Sequence, residues 1–122
     1  MGYESKLYIV QKSCVYDVID GKKMIFAEVV ATFNLCKVYD VANKLLEYNN
    51  TNCFIYADDG NTRILEDKYG KPLKEIPIND VIRIIEEAAK TDYYRRYAPC
   101  LALLKGFKQD EWSKLVVLYY RY

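Results

Sequence analysis

The side chains best suited to chemistry in this chain are tyrosines and arginines. They come in two runs, YYRRY at residues 93–97 and YYRY at 119–122. A tyrosine ring offers a flat apolar face with a polar tip. Arginine adds a rigid planar fork that pairs bidentately with phosphate or carboxylate and stacks on rings. If the end of the last strand lies near the bend ahead of Pro99, then Tyr93, Tyr94, Arg95, Arg96, Tyr97, Tyr119, Tyr120, Arg121 and Tyr122 form one surface. Such a surface suits bases stacked on rings, each worth about 1–3 kcal/mol, with phosphates held by guanidinium groups. The same residue types anchor protein interfaces. In the plainer alternative the rings rim the core, while the arginines lay their stems on apolar surface or pair with Asp92 and Glu87.

Motifs for covalent or hydrolytic catalysis are missing. With no histidine in the chain, the commonest general base is gone, and with it every Ser-His or Cys-His arrangement. No GxxxxGK[ST], GxGxxG or HExxH occurs. Asp58 and Asp59 could hold a metal, but Gly60 and Asn61 follow them, and Asp and Asn side chains commonly satisfy the backbone of a turn. Asp17 and Asp20 read the same way, and Glu86 and Glu87 sit on the polar face of a helix. Cys14, Cys36, Cys53 and Cys100 include no CxxC pair, so a zinc site would need scattered thiols to converge. They read as reduced, mostly core cysteines. No catalytic residue, metal site or cofactor is expected.

Composition narrows the partners. The 122 residues are 52% hydrophobic, enough for one domain with a real core. Eighteen basic and 17 acidic residues leave a net charge of +1, without the basic excess of a duplex-nucleic-acid binder. No apolar run reaches the roughly 18–20 residues that span a bilayer, and the opening MGYESKLYIV lacks the layout of a secretory signal. A soluble, cytoplasmic protein with no membrane partner is expected. The 13 tyrosines against 4 phenylalanines show a hydroxyl chosen where a ring was wanted.

Elements that would position these residues follow from periodicity. Residues 3–11 read as a strand with Ser5, Leu7 and Ile9 on one face and Glu4 and Lys6 on the other. Asp20-Gly21 marks a hairpin turn. Residues 24–35 read as a central strand apolar on both faces, Ile25, Ala27, Val29, Ala31 and Phe33 lining one and Met24, Phe26, Glu28, Val30 and Thr32 the other. A helix over 38–48 carries Val38, Val41, Ala42, Leu45 and Leu46. Residues 52–57 and 62–67 form a hairpin around DDGN, and PLKEIP an edge segment. Asn79 is read as the cap of an amphipathic helix whose stripe is Val81, Ile84, Ile85, Ala88 and Ala89. A break is expected near Tyr97-Ala98 because of Pro99. The Leu101, Leu103, Leu104 and Phe107 face should then stop at Gly106. Residues 112–122 form the last strand, expected beside the long second one. The sum is a single α+β domain, two-layered, with a mostly antiparallel sheet of about five strands against two or three helices.

The stretches MGYESKLYIV, AEVVATFNLCKV, YYRRYAPCLALLKGF and VVLYYRY together resemble a family of small uncharacterised proteins carried by phages and prophages of Gram-positive bacteria. The resemblance covers most of the chain and is thinnest at 14–23 and 58–75. Relatives often close with a histidine where this chain has Tyr119 and a glycine where it has Arg121, so any chemistry of that histidine is lost here. The resemblance implies a phage accessory protein acting in the host cytoplasm, with a counter-defence role by association. Joined to the Tyr/Arg clusters, it gives the expectation of a non-catalytic homo-oligomer that sequesters a cyclic nucleotide or ADP-ribose-type immune signal. The alternative is an inhibitor that docks on a host defence protein such as a CRISPR nuclease. A metal-dependent nuclease or phosphodiesterase built on Asp17, Asp58 or Asp59 is a third, weaker reading.

Overall fold

Asp20 and Gly21 both take positive φ, +52° and +77°, which matches the twist of a tight hairpin and which glycine adopts at no steric cost. The two strands they join, β1 (Ser5–Ile19) and β2 (Lys22–Cys36), are 15 residues each. In the computed structural model, which describes residues 4–36, 38–108 and 115–122, the chain continues through α1 (Tyr39–Leu45), β3 (Cys53–Tyr56) and β4 (Arg63–Ile64). Then come β5 (Lys74–Pro77), α2 (Ile78–Thr91), α3 (Tyr97–Lys108) and β6 (Leu115–Arg121). One mixed sheet of six strands runs β4-β3-β2-β1-β6-β5. The α+β reading holds, with β2 and β3 parallel and the other pairs antiparallel.

The expected neighbour of the last strand is corrected. β6 pairs with β1 and β5, not with β2. β2 is central as expected and shares the middle of the sheet with β1, whose Leu7, Ile9 and Val10 are fully buried. β1 also runs past Gln11 to Ile19, because a bulge sets residues 13–15 against Phe26 alone. Ser13 fills that bulge, its hydroxyl donating to the Phe26 carbonyl at 2.7 Å and accepting from the Val15 amide at 3.1 Å.

A second bulge explains why β2 looked apolar on both faces. Ile9 pairs with Ala31 and Val10 with Val29, so Val30 is an extra residue, and one extra residue flips every side chain beyond it. Ile25, Ala27 and Val29 therefore pack in one cluster, while Ala31, Phe33 and Leu35 pack with the helices. The single face expected for these residues is split at Val30.

The helices cover one side of the sheet. Val41, Ala42 and Leu45 of α1, Val81, Ile82, Ile84 and Ile85 of α2, and Cys100 and Leu104 of α3 join Leu7, Ile9, Val117 and Tyr119 in the main core. On α2 the buried stripe is narrower than expected at its end, since Ala88 is half-buried and Ala89 exposed. Asn79 is not the cap of α2. Pro77 holds that position without a side-chain hydrogen bond, and Asn79 lies in the first turn. Residues 92–96 lie outside both helices, and α3 begins at Tyr97. Pro99 falls in the first turn of α3, where a missing N–H breaks no intrahelical bond. Gly106 does not end α3, which continues to Lys108. The expected strand start at 112 lies outside the described residues.

On the other side of the sheet, Val10, Ala27, Cys53, Ile55, Leu73 and Leu118 form a second core. The sheet curls around it until residues 49–51 meet β5. The Thr51 amide donates to the Leu73 carbonyl at 2.8 Å, and the Glu75 amide to the Asn49 carbonyl at 3.0 Å. Lys12 and Glu75 form an ion pair at 2.7 Å within the same closure. No helix among the described residues is long and apolar enough to cross a membrane.

Candidate functional site

The two Tyr/Arg runs reach the same end of the sheet and then divide. Tyr97 and Tyr119 are core residues, 5% and 2% exposed. The Tyr119 hydroxyl is 2.8 Å from the fully buried Ser5 hydroxyl. Tyr94 packs edge-on against Tyr97 at 5.1 Å and donates its hydroxyl to the Leu35 carbonyl at 2.8 Å. Arg96 donates to the neighbouring Asn34 carbonyl, also at 2.8 Å. These two bonds fasten the segment before α3 to the end of β2. Tyr93 is 95% exposed and Arg95 is exposed beside it.

Arg121 is spoken for. Its Nε donates to Asp67 Oδ2 at 2.8 Å, and its guanidinium lies 5.5 Å from the Tyr69 ring centre. Asp67 in turn accepts from the amides of Tyr69 and Lys71 through Oδ1. The Lys68 amide donates back to the Arg121 carbonyl at 3.0 Å. This arginine clamps the 67–71 turn to β6 and does not reach outward with Arg95.

Tyr120 and Tyr122 take the opposite face from Tyr119, as strand alternation requires. There they meet two residues that the sequence reading placed on a strand but not in a site, Lys6 and Tyr8. Lys6 is directly across from Tyr120 in the β1–β6 register. Its ammonium lies 5.5 Å from the Tyr8 ring centre and 5.2 Å from that of Tyr122, within the range of cation–π attraction. Tyr8 and Tyr120 stand edge to face at 6.0 Å and 82°, and Tyr120 and Tyr122 are 6.2 Å apart. The signal in the sequence was the Lys-x-Tyr alternation at 6 and 8, matched by Tyr-x-Tyr at 120 and 122.

Two hollows flank this aromatic row. One, of about 340 Å³, is walled by Lys6, Tyr8, Thr32, Tyr56 and Asp58. The other, of about 660 Å³, is walled by Lys22, Met24, Thr51, Arg63, Glu66 and Tyr120. Both fall within the roughly 300–1,000 Å³ of small-ligand sites. The Tyr8–Tyr120 pair divides them, Tyr8 lining the first and Tyr120 the second.

Two phenols of the row, Tyr8 and Tyr122, are held in their protonated form. Burial raises Tyr8 above the ordinary tyrosine value, with Tyr120 and Asp58 adding to it. Burial also raises Tyr122, helped by a hydrogen bond with Glu4, while the positive charge of Arg96 acts the other way. Arg96 is thus the member of the first run whose charge is felt at the second. Asp59, by contrast, belongs to its turn: Thr62 Oγ1 and the amides of Thr62 and Asn61 hold its carboxyl down at about 2. Asp17 pairs with Arg63. Among the described residues no three His, Cys, Asp or Glu side chains group to hold a metal ion. Nor does a disulfide form among the four cysteines; Cys53 and Cys100 are buried, Cys36 is half-buried and Cys14 exposed.

Compared with known proteins, the chain matches no protein-family model, no curated protein and no solved structure.

Proposed function

We propose that this protein is a non-catalytic binder of a nucleotide-derived ligand, taken up along the row Lys6, Tyr8, Tyr120 and Tyr122. The observation that carries the reading is the Tyr8–Tyr120 pair standing between two hollows, with Lys6 at one and Lys22 and Arg63 at the other. Flat rings partly out of water attract planar bases, and the cations balance phosphate charge. Two adjoining hollows suit a ligand with two planar groups, such as a cyclic dinucleotide or an ADP-ribose derivative. Set beside the phage-carried family that the chain resembles, such binding would sequester a host immune signal. Thermal-shift and calorimetric titration against cyclic oligonucleotides and ADP-ribose derivatives tests it. Stabilisation abolished by Tyr120→Ala supports the reading, and no stabilisation by any of them overturns it.

A second reading rests on a different surface. At the far end of the β1–β2 hairpin, Val15, Tyr16 and Val18 are 59%, 57% and 62% exposed, an apolar strip of the kind that docks on a protein. There the protein would inhibit a host defence effector. A stoichiometric protein partner captured from host lysate, lost with Val18→Asp and kept with Tyr120→Ala, favours this reading over the first.

A further inference from the structure

β2 is 15 residues long, yet on its outer side β3 pairs with Ile25 and Phe26 alone. From Glu28 to Asn34 that edge has no backbone partner among the described residues. Asn34 turns its carbonyl outward to Arg96. Antiparallel pairing alternates inward and outward residues, so the N–H and C=O of Thr32 also point out of the sheet. The stretch EVVATFN carries one charge and neither lysine nor proline, the devices by which solitary edge strands usually avoid pairing. Of these devices the stretch has Glu28 and the Val30 bulge, and the Arg96 side chain caps the Asn34 carbonyl at its end.

We propose that this edge pairs antiparallel with the same edge of a second copy, around a two-fold axis near Thr32. Charge complementarity favours a second copy. Rotation about that axis brings Glu28 of the partner subunit opposite residues 34–36, beside the guanidinium that Arg96 holds at the Asn34 carbonyl. Neither Glu28 nor Arg96 has an ion-pair partner among the described residues. Local alternation also sets Glu28 on the helix-bearing side, from which Arg96 approaches, because its neighbours Ala27 and Val29 face the other core. The symmetry makes this pair twice. Thr32 and Val29 also wall the smaller hollow, so the joined edges would set two such hollows side by side as one groove. The pairing itself does not depend on any ligand.

Sedimentation velocity and amide exchange test this on the full chain, without ligand. The expected result is a species of twice the chain mass, with the Thr32 amide protected from exchange. Glu28→Arg, an exposed site whose change leaves the fold intact, is expected to weaken association about tenfold or more by facing two like charges. Adding Arg96→Glu to it restores the opposite-sign pairs and with them the dimer. A chain that stays monomeric at high micromolar concentration overturns the proposal. A dimer whose Thr32 amide exchanges freely, or one indifferent to Glu28→Arg, overturns it as well. Failure here leaves the ligand reading standing, and failure of the ligand screen leaves the dimer standing.

Discussion

The hydroxyls of Ser5 and Tyr119 meet at 2.8 Å across β1 and β6, inside the core. A buried polar pair of this kind gives about 0.5–1.5 kcal/mol net when intact, whereas a group left without its partner costs about 1–3 kcal/mol. Ser5→Ala and Tyr119→Phe are therefore each expected to destabilise by about 1–3 kcal/mol in urea unfolding. The double variant should lose less than the sum of the two, because the hydrogen bond between the two hydroxyls can be lost only once. Additive losses would show that the two groups do not depend on one another.

The Arg121–Asp67 clamp makes a sharper prediction. The two side chains are 16% and 4% exposed, and breaking the pair leaves the buried Asp67 carboxylate with the amides of Tyr69 and Lys71 but no opposite charge. Arg121→Met is expected to cost about 3 kcal/mol and to open the 66–72 turn to protease before global unfolding. Asp67→Asn should do the same through the amides of Tyr69 and Lys71, which lose a charged acceptor. Cleavage elsewhere, or an unchanged midpoint, would show that the turn does not rely on this arginine.

These two pairs also show where the sequence was legible. Tyr-rich clusters stood out by composition alone, and the strand that carries Tyr119 and Tyr120 was readable from its Val and Leu run. Which side each ring takes was not, because it depends on whether β6 lies beside β1 or β2, a non-local choice that periodicity does not encode. The same holds for β2. Its odd-numbered apolar residues predict one continuous face, and only the partner strand shows that Val30 is an extra residue that reverses the pattern. Lys6 and Tyr8 are not legible as a site in the sequence, since a cation between rings needs a cross-strand neighbour to become visible. The turn of Asp58 and Asp59, whose bonds are local, was legible throughout.

Placement of the rings divides the first run from the second in binding. Lys6→Glu, Tyr8→Ala and Tyr122→Ala are each expected to reduce ligand affinity by about tenfold or more, at roughly 1–3 kcal/mol per stacked base. Tyr93→Ala and Arg95→Ala, both at exposed positions, should leave it within twofold. Isothermal titration with whichever nucleotide stabilises the protein provides the measurement. Equal losses in both sets would mean that the ligand sits against the segment before α3.

Alkaline pH should expose the buried thiol. Cys100 is fully buried in α3, and burial pushes it from the ordinary 9.0 up to about 12. A group whose folded value is raised contributes stability that is whole below the unfolded value and is lost as pH climbs toward the folded one. Between pH 9 and about 12 the unfolded chain gives up this proton while the folded chain keeps it, so unfolding becomes easier with rising pH. The phenols of half-buried Tyr8 and buried Tyr97, both raised from 10.0, add to the slope from pH 10 upward. Cys100→Ala is expected to lower stability at neutral pH through the cavity it leaves. It should also flatten part of the fall between pH 9 and 10, where Cys100 and the likewise raised Cys53 act ahead of the phenols. Thiol labelling gives an independent check at neutral pH: Cys14, exposed on β1, should react at once, and Cys53 and Cys100 only at the rate of opening. Prompt labelling of Cys100 in the folded protein would remove the burial on which this slope depends.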